Sequence, residues 1–516
     1  MSKRTIILII LDGWGIGRQD ESNPIFIFKP KNISYLKATF PFASLQASGI
    51  SVGLPWGEEG NSEVGHLNIG AGKVIYQNYP RISLAIRDSS FFSNEVIKKT
   101  FEHSKKNNSV VNLIGLLTDA NVHSSMEHLE ALIKFAEKEN VLRVNLHLIT
   151  DGRDSPPQSC LTLLKKLPFS DKVILASVSG RYYAMDRDRH WDRTQIYYKT
   201  LFGEGAITDN LENHIKNNYQ KSLDDQYVFP TLIGPQKNII NDNDAVLFFN
   251  FREDRMRQIV ESFISQNFDK FPVKKNLNLY ISSLVSYDDR FNMSVAFPKE
   301  TAENPLGKVL SDNGKIQFRI AETEKYAHIT YFFNGEKEPP FENELRVLIP
   351  SRSDIHHDEH PEMMAREITN RLTQAIEDKS YDFILANYAN PDMIAHTGNY
   401  EATMKAIEIT DEEIGKIIQA VLATNSILII TSDHGNAERM FDPLTGSPET
   451  KHDPNPVPIH LVAKEFERQK EESEINRAEK NTIGILADVA PTILELMAIA
   501  QPKEMSGESF LKSLLE

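Results

Sequence analysis

The chain has 516 residues, 40% of them apolar and 25% charged, a composition that suits a globular protein of two or three domains with sizeable cores. Its formal net charge of −15 excludes a grip on nucleic acid or an anionic membrane through overall charge, so any anion site must be built from local arginine and lysine. The single cysteine, Cys160, excludes an internal disulfide framework and a cysteine-based metal site, and suits the reducing cytoplasm.

Residues 5–11 are an apolar run that reads as a buried parallel strand. The run is too short for a membrane span, and no small-residue cleavage site follows it as in a signal peptide. Asp12 lies just beyond, at the carboxyl end of that strand, where open α/β sheets place their chemistry. Residues 60–72 hold four glycines, Ser62, Glu63 and His66. Glycine at that density lets backbone approach a ligand closely. Ser62 is either a helix cap or a nucleophile in need of an activator, with Asn61, Glu63 and His66 as candidate supports.

Residues 77–81 read as a linker, and from 82 a second series of strand-then-loop units begins. Strands at 110–117, 144–149, 172–178 and 245–249 alternate with helical patterns such as 126–139, which argues for a mainly parallel sheet. The loops after them carry His123, Arg153, Asp154, Arg181, Arg187, Arg252 and Arg255. Strand ends on one edge of a parallel sheet converge, so these arginines are expected to line one anion cleft. Residues 296–305 read as the second linker.

Beyond it, a strand at 318–321 leads to Lys325, and residues 329–333 read as another strand. His356, His357 and His360 lack the regular spacing of a metal site and read as a loop entering a helix at Pro361. A strand at 381–386 precedes Asp392 and His396, which share a face of a helical turn at four-residue spacing. A strand at 426–430 precedes Asp433 and His434, and His452 follows in a proline-rich loop. Residues 464–480 read as a solvated charged segment, and 481–500 as a helix docking the carboxyl end.

Asp12, Asp392, Asp433, His396, His434 and His452 offer mixed oxygen and nitrogen ligands, which suit Mn²⁺, Zn²⁺, Mg²⁺ or Fe²⁺. Six ligands exceed what one catalytic metal takes while keeping open positions, so two metals are expected, with Ser62 activated beside them. The ligands come from both ends of the chain and the arginines from its middle. The expected architecture is therefore a metal-binding domain at 1–76 and 306–516, with a substrate-binding domain at 82–295 inserted between linkers 77–81 and 296–305, and the active site in the cleft between the two.

Residues 60–72, Thr150-Asp-Gly-Arg-Asp154, Phe249-Asn-Phe-Arg-Glu-Asp-Arg255, Glu322-Thr-Glu-Lys-Tyr326, Asn390-Pro-Asp-Met-Ile-Ala-His396 and Ser432-Asp-His-Gly-Asn436 together resemble the 2,3-bisphosphoglycerate-independent phosphoglycerate mutases of the alkaline phosphatase superfamily. The resemblance implies an α/β fold with an alkaline-phosphatase-like metal domain and a second α/β domain inserted into it. It also implies interconversion of 3- and 2-phosphoglycerate in glycolysis and gluconeogenesis, through a phosphoserine on Ser62 and without added 2,3-bisphosphoglycerate. By the same resemblance one Mn²⁺ is held by Asp392, His396 and His452, and a second by Asp12, Ser62, Asp433 and His434. His123, Arg153, Asp154, Arg181, Arg187, Arg252, Arg255 and Lys325 would grip the substrate, with Asp154 shuttling protons and Lys325 also catalytic. A cytoplasmic monomer acting on a small molecule, with no nucleic acid or membrane partner, is expected. Around His452 the sequence departs from the family pattern, although its spacing to Asn455-Pro-Val-Pro is kept. The alternatives are a metal-dependent phosphatase, another phosphomutase of the superfamily, and a metal-stabilised binding protein that has lost catalysis.

Overall fold

The computed structural model describes residues 4–234, 238–352 and 356–516. The chain forms two compact units: residues Met1–Gln77 with Glu300–Glu516, and Asn78–Lys299. In chain order the strands are β1 (Ile6–Leu11), β2 (Phe42–Gln46), β3 (Val111–Leu117), β4 (Val144–Thr150), β5 (Val173–Gly180), β6 (Ala206–Thr208), β7 (Thr231–Ile233), β8 (Ala245–Phe248), β9 (Tyr280–Val285), β10 (Ser294–Phe297), β11 (Gln317–Glu322), β12 (Glu344–Ile349), β13 (Phe383–Tyr388), β14 (Ile427–Thr431), β15 (Val457–Val462) and β16 (Thr482–Ile485).

The first unit is built on a sheet of order β12-β11-β13-β1-β14-β15-β2-β16. Its centre is parallel: β1 pairs with β13 on one side and β14 on the other. β15 alone reverses, running antiparallel to both β14 and β2. The Ile6–Leu11 segment explains why β1 sits in the middle. Every residue is apolar, and successive side chains point to opposite faces, so a strand of this kind needs cover on both. Ile6, Leu8 and Ile10 pack into one core and Ile7, Ile9 and Leu11 into the other. Because β11, β13, β1 and β14 are parallel neighbours, the segments that follow them leave the sheet along one edge. These segments carry Lys325 and Asp392 on short helices, Thr323–Ala327 and Asn390–Ala395, and Asp12 and Asp433 in loops.

The second unit repeats the principle with order β10-β9-β8-β3-β4-β5-β7-β6, parallel except where β7 pairs antiparallel with β5. One large apolar core runs through it, joining Val111, Leu146, Val178 and Phe248 from the strands with Leu132 and Phe135 from the helix Met126–Lys138.

Three expectations about local structure are corrected. Residues 329–333 are not a strand: the helix Thr323–Ala327 continues into a wider turn at His328–Phe332. Ile329 and Phe333, four apart, are both fully buried, which is helical spacing; a five-residue apolar run cannot by itself distinguish this from a strand. Residues 481–500 are not one helix either. Thr482–Ile485 adds β16 to the free edge of β2, a short turn follows, and the helix is Val489–Leu496. Pro361 does not open a helix, which begins at Ala365. The linkers are also shorter than expected. Residues Asn78–Arg87 are already helical and β10 runs to Phe297.

Candidate active site

Ser62 is the first residue of the helix Ser62–Ala71, and the cap is Asn61, whose side chain accepts from the Val64 amide. The Ser62 hydroxyl is thus released from capping and free for other partners. The helix approaches its surroundings by backbone contact. A Cβ on Gly65 would lie 2.6 Å from the Asp433 carbonyl oxygen, and one on Gly70 would lie 2.0 Å from that of Phe333. The glycines let the Ser62 helix lie directly on the segments that carry the acidic and basic groups.

Around Ser62 the groups converge. Its Oγ lies 3.2 Å from Asp12 Oδ1 and 2.9 Å from His434 Nε2. Lys325 Nζ, buried at the strand-end edge, donates to Ser62 Oγ at 2.7 Å, to Asp12 Oδ1 at 2.6 Å and to Asp392 Oδ2 at 2.7 Å. Ligand atoms of Asp12, Asp433 and His434 lie within 4.8 Å of one another, as do those of Asp392, His434 and His452. His452 Nε2 and His396 Nε2 are 3.0 Å apart, and lie 3.5 and 3.3 Å from Asp392 Oδ1.

These residues fit divalent cations on two grounds. Both His396 and His452 point Nδ1 at a backbone carbonyl, of Thr450 at 2.8 Å and Gly60 at 2.7 Å, so Nδ1 carries the proton in each. Their Nε2 lone pairs then face each other and a carboxylate, an arrangement that calls for a cation among them. Charge gives the second ground. Asp12, Asp392 and Asp433 are all buried, and among the described residues Lys325 is the one ammonium or guanidinium paired with them, the other partners being histidines, which leaves a surplus of negative charge out of water. The electrostatics of the chain's own groups reflect it. Burial, then Asp433, push the Asp12 carboxyl up to about 7 despite Lys325 beside it. Burial works against the Lys325 ammonium, but Asp12, Asp392 and Asp433 outweigh it and hold the charge. Burial likewise opposes ionisation of Asp433, and is outweighed by His434 and His66. His434 is pushed down to about 4 by burial, which keeps its ring neutral and able to donate a lone pair.

The second unit gathers a different set. Arg181, itself 4% exposed, donates to Asp154 Oδ2 at 2.6 Å and also pairs with Asp151. His123 Nε2 lies 3.9 Å from Asp154 Oδ2, and its Nδ1 lies 3.5 Å from Asp254 Oδ1. Asp254 also meets Arg187 at 2.7 Å and Arg252 at 3.6 Å. Burial lowers the Arg255 guanidinium from its usual range, and the nearby charges of Arg181, Arg187 and Arg153 lower it further. Arginines at the ends of β4 and β5 and in the loop after β8 thus share one locality. Burial and Arg181 push His123 down to about 4, so it is neutral at pH 7 and can donate a hydrogen bond without adding charge. His356, His357 and His360 join no cluster of three metal-ligating groups among the described residues.

The sequence matches the metalloenzyme superfamily over residues 4–501. A curated relative from Clostridium novyi, named 2,3-bisphosphoglycerate-independent phosphoglycerate mutase, is 43% identical over 99% of this chain and 100% of its own length. The chain belongs to that family. A relative of the same name, numbered 1, from Methanosarcina barkeri is 43% identical over 99% of this chain and 98% of its own. A crystal structure of Leishmania mexicana phosphoglycerate mutase at low cobalt concentration is 26% identical, covers 98% of each chain and superposes with a TM-score of 0.52. Among the described residues no helix is long and apolar enough to cross a membrane.

Several groups in this family member's two sites carry no signal in the sequence taken alone. Asn387 donates to Asp12 Oδ2 and Asn436 to Asp392 Oδ1, both at 2.7 Å. Glu438, 1% exposed, accepts from the amides of Gly15 and Asn436 and from the Asn455 side chain, tying three loops together. Asp151 accepts from Thr118 and from the amides of Arg153, Asp154 and Ser155, which holds the loop after β4 in shape. Of the candidate supports, Asn61 is a helix cap and Glu63 is exposed, while His66 is buried against Asp433.

Proposed function

We propose that the chain interconverts 3- and 2-phosphoglycerate through a phosphoserine on Ser62, with two divalent metals, Mn²⁺ foremost, and without added 2,3-bisphosphoglycerate. The observation that carries this is the Ser62 hydroxyl, 7% exposed at a helix start and within hydrogen-bond reach of Asp12, His434 and Lys325. Asp392, His396 and His452 would hold one cation and Asp12, Ser62, Asp433 and His434 the other; when bound they supply the positive charge that acidifies the hydroxyl and balances the phosphoryl oxygens.

The chain's own groups do the rest. Arg153, Arg181, Arg187, Arg252 and Arg255 bind the carboxylate and phosphate of the substrate, their planar forks matching both. Ser62 Oγ forms a bond to phosphorus as the bond from phosphorus to the O3 oxygen of glycerate breaks. Asp154, entering as the acid beside neutral His123, gives its proton to the departing O3 and takes one from O2, while the proton of the acidified Ser62 hydroxyl leaves to solvent. O2 then attacks the phosphoserine and frees Ser62. Lys325, already donating to Ser62, stabilises charge on the transferring group, and the start of a ten-residue helix adds its dipole. The glycerate must be retained between the two transfers. In this reading the first unit is the metal-binding phosphatase-like domain and the second the substrate-binding domain. The setting is cytoplasmic glycolysis and gluconeogenesis, and the acting species is a monomer.

The test is conversion of 3-phosphoglycerate by purified chain, with Mn²⁺ or after chelation, and with no bisphosphoglycerate added. The expected result is metal-dependent 2-phosphoglycerate and a Ser62 phosphopeptide in quenched samples. Release of inorganic phosphate in place of 2-phosphoglycerate would make the chain a phosphatase instead.

A further inference from the structure

Asn387 stands in β13 directly opposite Ile10 of β1 in the parallel register. Asp12 is two residues beyond Ile10 and so emerges on the same face of the sheet. The side chains meet there: Asn387 Nδ2 lies 2.7 Å from Asp12 Oδ2 and 3.0 Å from His66 Nε2. An amide nitrogen has two hydrogens, and this geometry uses one for each partner. Turning the amide over would press its oxygen against the Asp12 carboxylate. Asn387 is fully buried, and its Oδ1 has no hydrogen-bond partner. A buried carbonyl left unpaired is costly, so the two N–H bonds are what hold the group in place.

The donation to His66 has a consequence for the ring. A nitrogen that accepts from an amide carries no proton, so the His66 proton is on Nδ1. That nitrogen lies 2.8 Å from the Ser62 carbonyl oxygen and 3.1 Å from Asp433 Oδ2. Asp12, His66, the Ser62 backbone and Asp433 are therefore joined in one chain of contacts, with the Asn387 amide at its centre.

We propose that Asn387 is a positioning residue whose single amide nitrogen sets both the Asp12 carboxylate and the His66 tautomer, and so fixes the first turn of the Ser62 helix against the metal ligands. The assignment rests on the role given above to Asp12 and Ser62, but its primary test does not need catalysis. In metal-free wild-type chain labelled with ¹⁵N-histidine, and with the His66 resonances identified by His66→Phe, the ring is expected to be protonated on Nδ1 near neutral pH. Protonation on Nε2 would overturn the proposal, since Asn387 then has no acceptor there. In Asn387→Asp the new carboxylate accepts where the amide donated, so the ring is expected to move its proton to Nε2. The Mn²⁺ affinity should fall by roughly 10- to 100-fold, the usual cost of removing a group that orients a ligand. Asn387→Ser, which keeps one donor, should lie between the two. An unchanged tautomer together with unchanged Mn²⁺ affinity in Asn387→Asp would also overturn it, and the wild-type spectrum decides the matter even where that variant does not fold.

Discussion

At Ser62 an ammonium, a carboxylate and an imidazole lie within 3.2 Å of one hydroxyl oxygen. Replacing Ser62 by Ala should abolish 2-phosphoglycerate formation while Mn²⁺ binding by the Asp392, His396 and His452 group survives; full mutase activity in that variant would end the phosphoserine mechanism. Lys325→Met removes a buried donor aimed at the same oxygen. A preorganised donor of this kind is worth about 10²–10³ in kcat, and steady-state kinetics on metal-saturated variant should show a loss of that order with a smaller change in KM. Acid should act at the same residues. Imidazole must be unprotonated to bind a metal; the hydrogen bond to Asp392 raises His396, and at His452 it outweighs burial, so metal content and activity should fall together as the pH drops through the ordinary histidine value of about 6.5, with these two ligands protonated before His434. Activity that persists there with metal retained would contradict the ligand assignment.

The helix Ser62–Ala71 shows what an element can require of its sequence. Glycine in a helix interior costs about 1 kcal/mol relative to alanine, yet this helix has glycine at 65 and 70. The close approach to Asp433 and Phe333 explains both. Gly65→Ala should therefore lower activity sharply, because the helix must back away from the Asp433 loop; crystallography or metal titration would register the shift. In β4 the buried His147 contacts Ser177 Oγ at 2.9 Å and Asn112 Oδ1 at 3.0 Å from its two nitrogens. Burial pushes it down to about 3. Between pH 6.5 and 3 the unfolded chain therefore binds a proton at this residue that the folded chain does not, so stability is lost as pH falls through that window. His147→Gln should flatten the pH dependence of thermal unfolding there, even if it lowers the midpoint at neutral pH.

At the scale of the molecule, residues 78–299 form a continuous stretch with its own sheet and its own core. A unit of that kind is expected to fold alone, and as an isolated fragment it should unfold cooperatively on heating and release no phosphate from 3-phosphoglycerate. A fragment that fails to fold would show that this core needs the rest of the chain. In the intact protein, chelation should lower the unfolding midpoint, because cations bound only to the folded state stabilise it by mass action.

The sequence by itself determined the α/β class, since apolar runs such as Ile6–Leu11 need cover on both faces wherever they lie. It also determined that acids and histidines stand just beyond several strands, because parallel strands deliver their ends to one edge. Tertiary structure decided the rest. Residues 329–333 are apolar and short, and only their packing at helical spacing made them helix rather than strand. Thr482–Ile485 became a strand because β2 offered an open edge. Asn387 lies inside a strand with no local mark of function, and its pairing opposite Ile10 is what brings its amide to Asp12 and His66. Glu438 likewise joins loops that are far apart along the chain. Groups that carry charge or a lone pair at a strand end announce themselves in sequence. Groups that act by orienting them do so through register and burial, which exist only once the chain has folded.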